Sequence, residues 1–315
     1  MHAGSLTALA CVLPVRRRYV SAMPDMPAPE SNPFRAFDWL LLLTAAGIWG
    51  ASFLFMDVAL DHEHPGLIAF LRPALGMLAL WAFPAARRPV DRADRSRILA
   101  LGALWMAFPL TMFPLAQQWI DSSVAGMLNS GMPVATVLVG ATLFGVRTGR
   151  VQLLGVAVGI AGIAMIGLPT ASTGETTGLG VVFVLAAVTS YGVAANLAGP
   201  LQRRYGSPAV LARVATVATV LTLPYGLVGL ADSSWSTQAF AANLAVGVGG
   251  TGIAYVAAAT LIGRVGPVRM SIVTYLVPVV AAVLGIVVLG ESLVAWQVLG
   301  ALVLIGGAWL TTRPA

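Results

Sequence analysis

Residues 133–162 read PVATVLVGATLFGVRTGRVQLLGVAVGIAG, and residues 278–307, 145 positions later, read PVVAAVLGIVVLGESLVAWQVLGALVLIGG. Pro133, Gly140, Gly145, Gln152, Gly155 and Gly162 recur as Pro278, Gly285, Gly290, Gln297, Gly300 and Gly307, with apolar residues matching apolar residues between them. Each copy predicts an apolar helix broken by a proline, a tight glycine corner, and a second glycine-bearing helix. If an odd number of membrane spans separates the copies, the second lies upside down in the bilayer. Inverted repeats of this kind are the architecture of secondary transporters, whose halves rock about a midplane site.

Composition leads to the membrane independently. Hydrophobic residues make up 58% of the chain, charged residues only 10%, and the mean hydropathy is +0.87, outside the range of water-soluble domains. The expected class is an all-α integral membrane protein. A span takes about 20 mostly apolar residues, and ten are expected, near 38–60, 66–85, 98–117, 123–145, 150–168, 179–201, 208–229, 239–262, 267–289 and 293–312. Five precede the 170–178 linker and five follow, so the chain reads as two inverted five-helix repeats over 36–170 and 178–315.

Arginine sets the expected orientation, because the chain contains no lysine. Under the ten-span reading sixteen of the eighteen arginines fall on one side, among them Arg16, Arg35, Arg87, Arg147, Arg203, Arg264 and Arg313. The other two, Arg72 and Arg213, fall within spans. The positive-inside rule then places both termini in the cytoplasm of a plasma membrane, the inner membrane in a bacterium. The net charge of +6 is absorbed by topology and anionic headgroups, without a nucleic-acid partner.

Residues 1–35, rich in Pro, Ser and charge, predict a disordered cytoplasmic tail. Their apolar run precedes Arg16-Arg17-Arg18, the reverse of a secretory signal, and translation starting at Met23 or Met26 is one expectation. The single cysteine, Cys11, excludes an intramolecular disulfide framework.

Trp49-Gly50-Ala51-Ser52-Phe53 in the first expected span and Phe70-Leu71-Arg72 in the second resemble the opening of an EamA-type repeat of the drug/metabolite transporter superfamily. Gly266-Pro267-Val268-Arg269, Tyr275-Leu276-Val277-Pro278, Leu289-Gly290-Glu291 and Gln297-Val298-Leu299-Gly300 are similar to that repeat's end. The resemblance covers about 38–313. It implies ten helices in two inverted halves, moving small metabolites or drugs, often outward. Gly145-Val146-Arg147 departs from the family's usual Gly-Glu, so any role of that glutamate is missing from the first half.

Other residues narrow the chemistry. Without lysine there is no Walker-type phosphate loop, so energy comes from a gradient. His2, His62 and His64 all lie outside the expected spans, which disfavours an intramembrane hydrolase. Asp61-His62-Glu63-His64 alternates imidazoles in the manner of a metal loop, but a solvated loop is the ordinary reading and no metal site is assigned. No cofactor is expected.

Asp57, Arg72 and Arg213 are the clear intramembrane charges, and such groups are functional candidates by default. Asp57 and Arg72 lie at similar depths near the outer ends of spans one and two, so an ion pair or a shared water-filled cavity is expected; an outward-facing Asp57 with a snorkelling Arg72 is the plain alternative. Snorkelling suits Arg213. Pro133 and Pro278 are hinge candidates, expected to bend their spans at equivalent depths, while the repeat glycines suit close packing. Glu291 is expected to cap the helix it precedes. Trp49, Trp105, Asn129, Tyr191, Asn196, Tyr255 and Tyr275 are the candidate cavity lining, each with a helix-contact or interfacial alternative.

The expectation is a secondary active transporter exporting a small metabolite or amphipathic compound by alternating access, with membrane lipids and either protons or a counter-substrate as partners. A proton-coupled cation or drug antiporter centred on Asp57 is the alternative. A membrane-embedded enzyme or a non-transporting scaffold is the alternative from another class, with no intramembrane nucleophile–base pair to recommend it.

Overall fold

A computed structural model of the chain describes residues 34–171, 175–265 and 267–313. The expected tail with Cys11, Met23 and Met26, the basic run Arg16-Arg17-Arg18, and residues 172–174 of the linker lie outside the described residues.

The apolar runs fold as helices because an unpaired amide in hydrocarbon costs several kcal/mol, and a helix satisfies its own. We number the helices in chain order. Helix α1 is Ala36–Leu60, α2 Pro65–Trp81, α3 Arg95–Leu101, α4 Phe108–Ala116, α5 Ser122–Asn129 and α6 Met132–Leu143. Then follow α7 Arg150–Ala171, α8 Glu175–Tyr205, α9 Ser207–Ala231, α10 Thr237–Leu244, α11 Ala254–Val265, α12 Pro267–Met270, α13 Ile272–Leu289 and α14 Ala295–Thr311. π-Helical segments Gly102–Ala107 and Ala245–Ile253 join α3 to α4 and α10 to α11.

Among the described residues, seven continuous helical stretches are long and apolar enough to cross a membrane, and an eighth is the pair α5 and α6, bent by 42°. Helices α2 and α14 are apolar but shorter, at 17 residues each. Large apolar side chains stand in the open along these helices, Leu168 at 69% and Val287 at 75% exposure. A water-soluble fold would bury such a surface, whereas lipid covers it here. The protein is an all-α integral membrane protein.

The repeat leaves matching local structure. Gly145 and Gly290 both take left-handed backbone, with φ of +64° and +70°, a conformation glycine adopts without penalty. The amide of the next residue then reaches back six residues, Val146 N to Gly140 O at 2.9 Å and Glu291 N to Gly285 O at 3.1 Å, closing both helices alike. The offset of 145 also carries 102–107 onto 247–252, inside the second π segment.

Helices α7 and α14 pack backbone to backbone. A Cβ on Gly162 would lie 2.8 Å from Gly300 O, and one on Gly307 would lie 2.8 Å from Gly155 O. The offset carries Gly155 to Gly300 and Gly162 to Gly307, so it turns one contact into the other. The small residues are there for approach, as is usual between membrane helices.

Ion pairs gather at one end of the bundle. Arg264 meets Asp38 in the first turn of α1, while Arg204 bonds Asp91 and Asp94, and Arg97 also bonds Asp94. The opposite end holds Asp61, Glu63, Asp121, Asp232 and Glu291. The two expected hinges differ locally. The bend in the first copy falls at Ser130-Gly131, just before Pro133, the second residue of α6. Pro278 instead lies inside α13, which continues through it, and the interruption in that copy falls at Ser271. One proline therefore follows a break and the other lies within a continuous helix.

Candidate functional site

A cavity of about 140 Å³ lies in the middle of the bundle, lined by Trp49, Ser52, Phe53, Arg72, Trp105, Phe113, Asn129, Ser130, Met132, Tyr191, Tyr255, Thr274 and Val277. Helices α1, α2, α4, α5, α6, α8, α11 and α13 and the first π segment all contribute. On the side of the ion-paired end the Tyr255 ring meets Trp49 edge-on at 5.3 Å and Trp105 at 6.0 Å. On the opposite side Phe53 meets Phe113 at 5.5 Å, and Phe113 meets Tyr191 at 6.1 Å. Aromatic pairs thus flank the cavity on both sides.

The π segments supply its irregular backbone. Widening a helix to π geometry displaces carbonyls from their usual donors, and a side chain from a neighbouring helix takes one in each copy. The Trp49 indole Nε1 donates to Gly250 O at 2.9 Å, and Ser190 Oγ donates to Leu104 O at 2.6 Å. Beyond Phe53, Gln117 Nε2 donates to the Phe53 carbonyl at 2.8 Å, and the fully buried Met56 fills the same level. This plug separates the cavity from a larger pocket at the far end, about 700 Å³, lined by Asp61, His62, Glu63, His64, Gln118 and Asp232 among others.

Among the described residues, Arg72 is the one charged side chain lining the cavity. It is 8% exposed, its Nε has no acceptor, and its Nη1 donates only to the Met56 thioether at 3.3 Å. The expected pairing with Asp57 is not present. Successive residues of a helix are turned by about 100°, so with Met56 facing Arg72, Asp57 faces away. Asp57 lies instead within electrostatic reach of Glu291, Asp61 and Asp121.

The structure brings Trp49, Arg72, Trp105, Asn129, Tyr191 and Tyr255 together around the cavity and leaves Asn196 and Tyr275 outside it. Asn196 Nδ2 bonds the carbonyls of Thr136 and Gly192, tying α6 to α8. The Tyr275 hydroxyl meets Thr312 Oγ1 at 3.2 Å, tying α13 to the end of α14. Arg213 donates to the carbonyls of Ala86 and Ala209 and stacks over Trp81, at the ion-paired end. Sequence reasoning missed Ser52, Phe53, Phe113, Ser130, Met132, Thr274 and Val277. Thr274 had a signal, since it is the repeat counterpart of Asn129.

Glu291 caps a helix other than the one expected. Its carboxylate accepts from the amides of Ser122 at 2.8 Å and Ser123 at 3.0 Å, at the start of α5. Helix α14 begins four residues later, behind Val294. The loop after α1 is held by protein groups: His64 Nδ1 accepts from Gly66 N, His64 N donates to Ser233 Oγ, and Asn243 donates to Glu63 at 2.6 Å. Among the described residues no three His, Cys, Asp or Glu side chains converge as a metal site would need. Burial raises the Glu63 carboxyl above its ordinary value, opposed by the Asn243 hydrogen bond; partial burial and then the charge of Glu291 raise that of Asp121.

The family model of the EamA-like transporters matches residues 37–168 and again 178–313. The chain belongs to the EamA-like transporter family. Within that family's superfamily of drug and metabolite transporters, a Streptantibioticus cattleyicolor protein named "Probable terminal-alkyne amino-acid exporter" is 30% identical over 281 residues, 87% of this chain and 93% of its own. A Salmonella typhimurium protein named "Probable amino-acid metabolite efflux pump" is 27% identical, covering 87% of this chain and 94% of its own. One solved crystal structure shares the fold, with a TM-score of 0.60 at 20% identity, over 88% of this chain and 96% of that one. This EamA-like protein is thus a membrane transporter with an amphipathic cavity at its centre.

Proposed function

We propose that the protein is a secondary active exporter of small amphipathic solutes, amino acids and their derivatives foremost, working by alternating access to the central cavity. The observation that carries this reading is the cavity itself, flanked by aromatic pairs on both sides and holding a buried guanidinium between them. A small solute fits there, and repacking of either pair opens the site to one side. Names of relatives that match nearly full length supply the solute class.

On this reading the chain makes ten spans in two inverted halves. The seven long stretches, the bent α5–α6 pair and the 17-residue α2 and α14 supply ten crossings, 17 residues being the short end of the spanning range. The matching glycine corners and the reciprocal α7–α14 contact support two equivalent halves. The arginine-rich end is cytoplasmic by the positive-inside rule, with both termini on that side. No carboxylate lines the cavity, which speaks against a cation antiporter centred on Asp57.

Uptake into liposomes containing the purified protein, preloaded with unlabelled amino acid, tests the proposal. Counterflow of a labelled amino acid is expected, and none across an amino-acid panel would refute it. A reporter fused after Arg313 is expected in the cytoplasm and one inserted between 170 and 178 outside; a cytoplasmic signal from the insertion would contradict the ten-span arrangement.

A further inference from the structure

The central cavity gathers donors and acceptors that the protein leaves unused. Arg72 Nε has no acceptor, and Nη1 donates to a thioether, a weak acceptor. Asn129 Oδ1 is buried with no donor. Proline lacks the amide that a helical carbonyl four residues earlier would accept, so Pro133 and Pro278 leave the carbonyls of Asn129 and Thr274 without their usual partners. Both residues line the cavity. Buried polar groups in native proteins are nearly always satisfied, and an unpaired buried charge is costlier than any neutral group.

We infer that Arg72 and Asn129 read the two ends of a zwitterionic amino acid, the Arg72 guanidinium receiving the carboxylate and Asn129 Oδ1, with the main-chain carbonyls of Asn129 and Thr274, receiving the α-ammonium. This assignment builds on the transport reading above and adds the residues that select the solute. A guanidinium presents a fork that matches a carboxylate, and its charge repels an organic cation that lacks one. A monocarboxylate satisfies Arg72 but leaves the acceptors empty. One water takes about 10–15 Å³ of such a cavity, so its volume suits a solute of roughly ten non-hydrogen atoms, the size of an aliphatic amino acid. The apolar side chain then lies against the aromatic walls.

Four probes of one carbon skeleton separate the charges: norvaline, norvalinamide without the carboxylate, pentanoate without the ammonium, and pentylamine. Binding to the purified full-length protein is followed by the fluorescence of its tryptophans, two of which line the cavity. Norvaline is expected to bind about ten- to a hundredfold tighter than norvalinamide or pentylamine, as one charge-assisted contact allows. Arg72→Gln removes that preference, Arg72→Lys keeps part of it, and Asn129→Ala weakens norvaline while leaving pentanoate unchanged. A purely structural Arg72 would leave the ratios between probes intact. Equal affinity for norvaline and norvalinamide overturns the assignment, as does an Arg72→Gln protein whose affinities all fall alike, or no binding by any probe at millimolar concentration. Should Arg72→Gln not fold, the narrowed norvaline-to-norvalinamide ratio of Arg72→Lys decides. Liposome flux distinguishes the two levels. Norvaline bound through Arg72 but not carried leaves the assignment standing without the transport reading, and equally fast carriage of pentylamine does the reverse.

Discussion

The carboxylate of Glu291 is hydrogen-bonded to the amide of Ser122 at 2.8 Å, across 169 positions of sequence. It joins the corner between α13 and α14 to the first turn of α5, on the side away from the arginines. The repeat counterpart of Glu291 is Val146, which has no carboxylate to offer, so this clasp exists at one end only.

Glu291→Ala is expected to lower stability by about 1–2 kcal/mol, the usual cost of losing a helix cap. A Cβ on Gly285 would lie 2.1 Å from Glu291 Oε2, so Gly285→Ala displaces the same carboxylate. Thermal unfolding in detergent checks both, and the double variant should lose less than the sum because the two changes act on one contact.

Acidification should stabilise the loops at the end away from the arginines. The carboxyls of Asp121 and Glu63 both titrate above their ordinary values of 3.8 and 4.5, chiefly through burial. A carboxyl raised in the folded state binds more protons there than in the unfolded chain, so stability is greatest below the ordinary value and falls as pH rises through the raised one. Asp121→Asn should flatten the pH dependence of the unfolding midpoint above 3.8; an unchanged slope would remove Asp121 as a contributor.

Gly306 and Gly307 are neighbours with opposite fates. A Cβ on Gly306 meets nothing within 4 Å, whereas one on Gly307 lies 2.4 Å from Gly159 N. Gly306→Ala is expected to be neutral or to gain up to about 1 kcal/mol from helix propensity. Gly307→Ala should cost roughly 1–3 kcal/mol or more by overpacking against backbone, read as a lower unfolding midpoint and less protein in the membrane.

Pro133→Ala gives the Asn129 carbonyl an amide partner and should straighten the 42° bend. Transport should slow several-fold at matched abundance. Pro278→Ala acts within a continuous helix, so it should alter the cavity's acceptors without changing the helix path. Equal initial rates for both variants and the parent would show that neither carbonyl matters.

The membrane class, the repeat and most of the cavity's aromatic residues were legible because each depends on composition or on spacing along a single helix. Arg72 was legible as a charge that hydrocarbon should not hold. Its partner was not, because depth along two helices says nothing of rotation about them, and Asp57 is one residue past the face that meets Arg72. Glu291 was legible as a cap, yet which amides it caps depends on a contact 169 positions away. The π segments carry no proline or charge to mark them, and the break at Ser130-Gly131 reflects tertiary packing as much as the proline that follows.

The glycine seam between α7 and α14 limits how the protein can change shape. Main-chain atoms meet there at the glycines, with Met165, Ile166 and Leu310 packed against them, so the surfaces have little slack to slide. Movement that keeps this contact must turn about it, in the manner of an axle, and displacement grows with distance from it. Any rotation about the glycines would displace the far wall most and this line least.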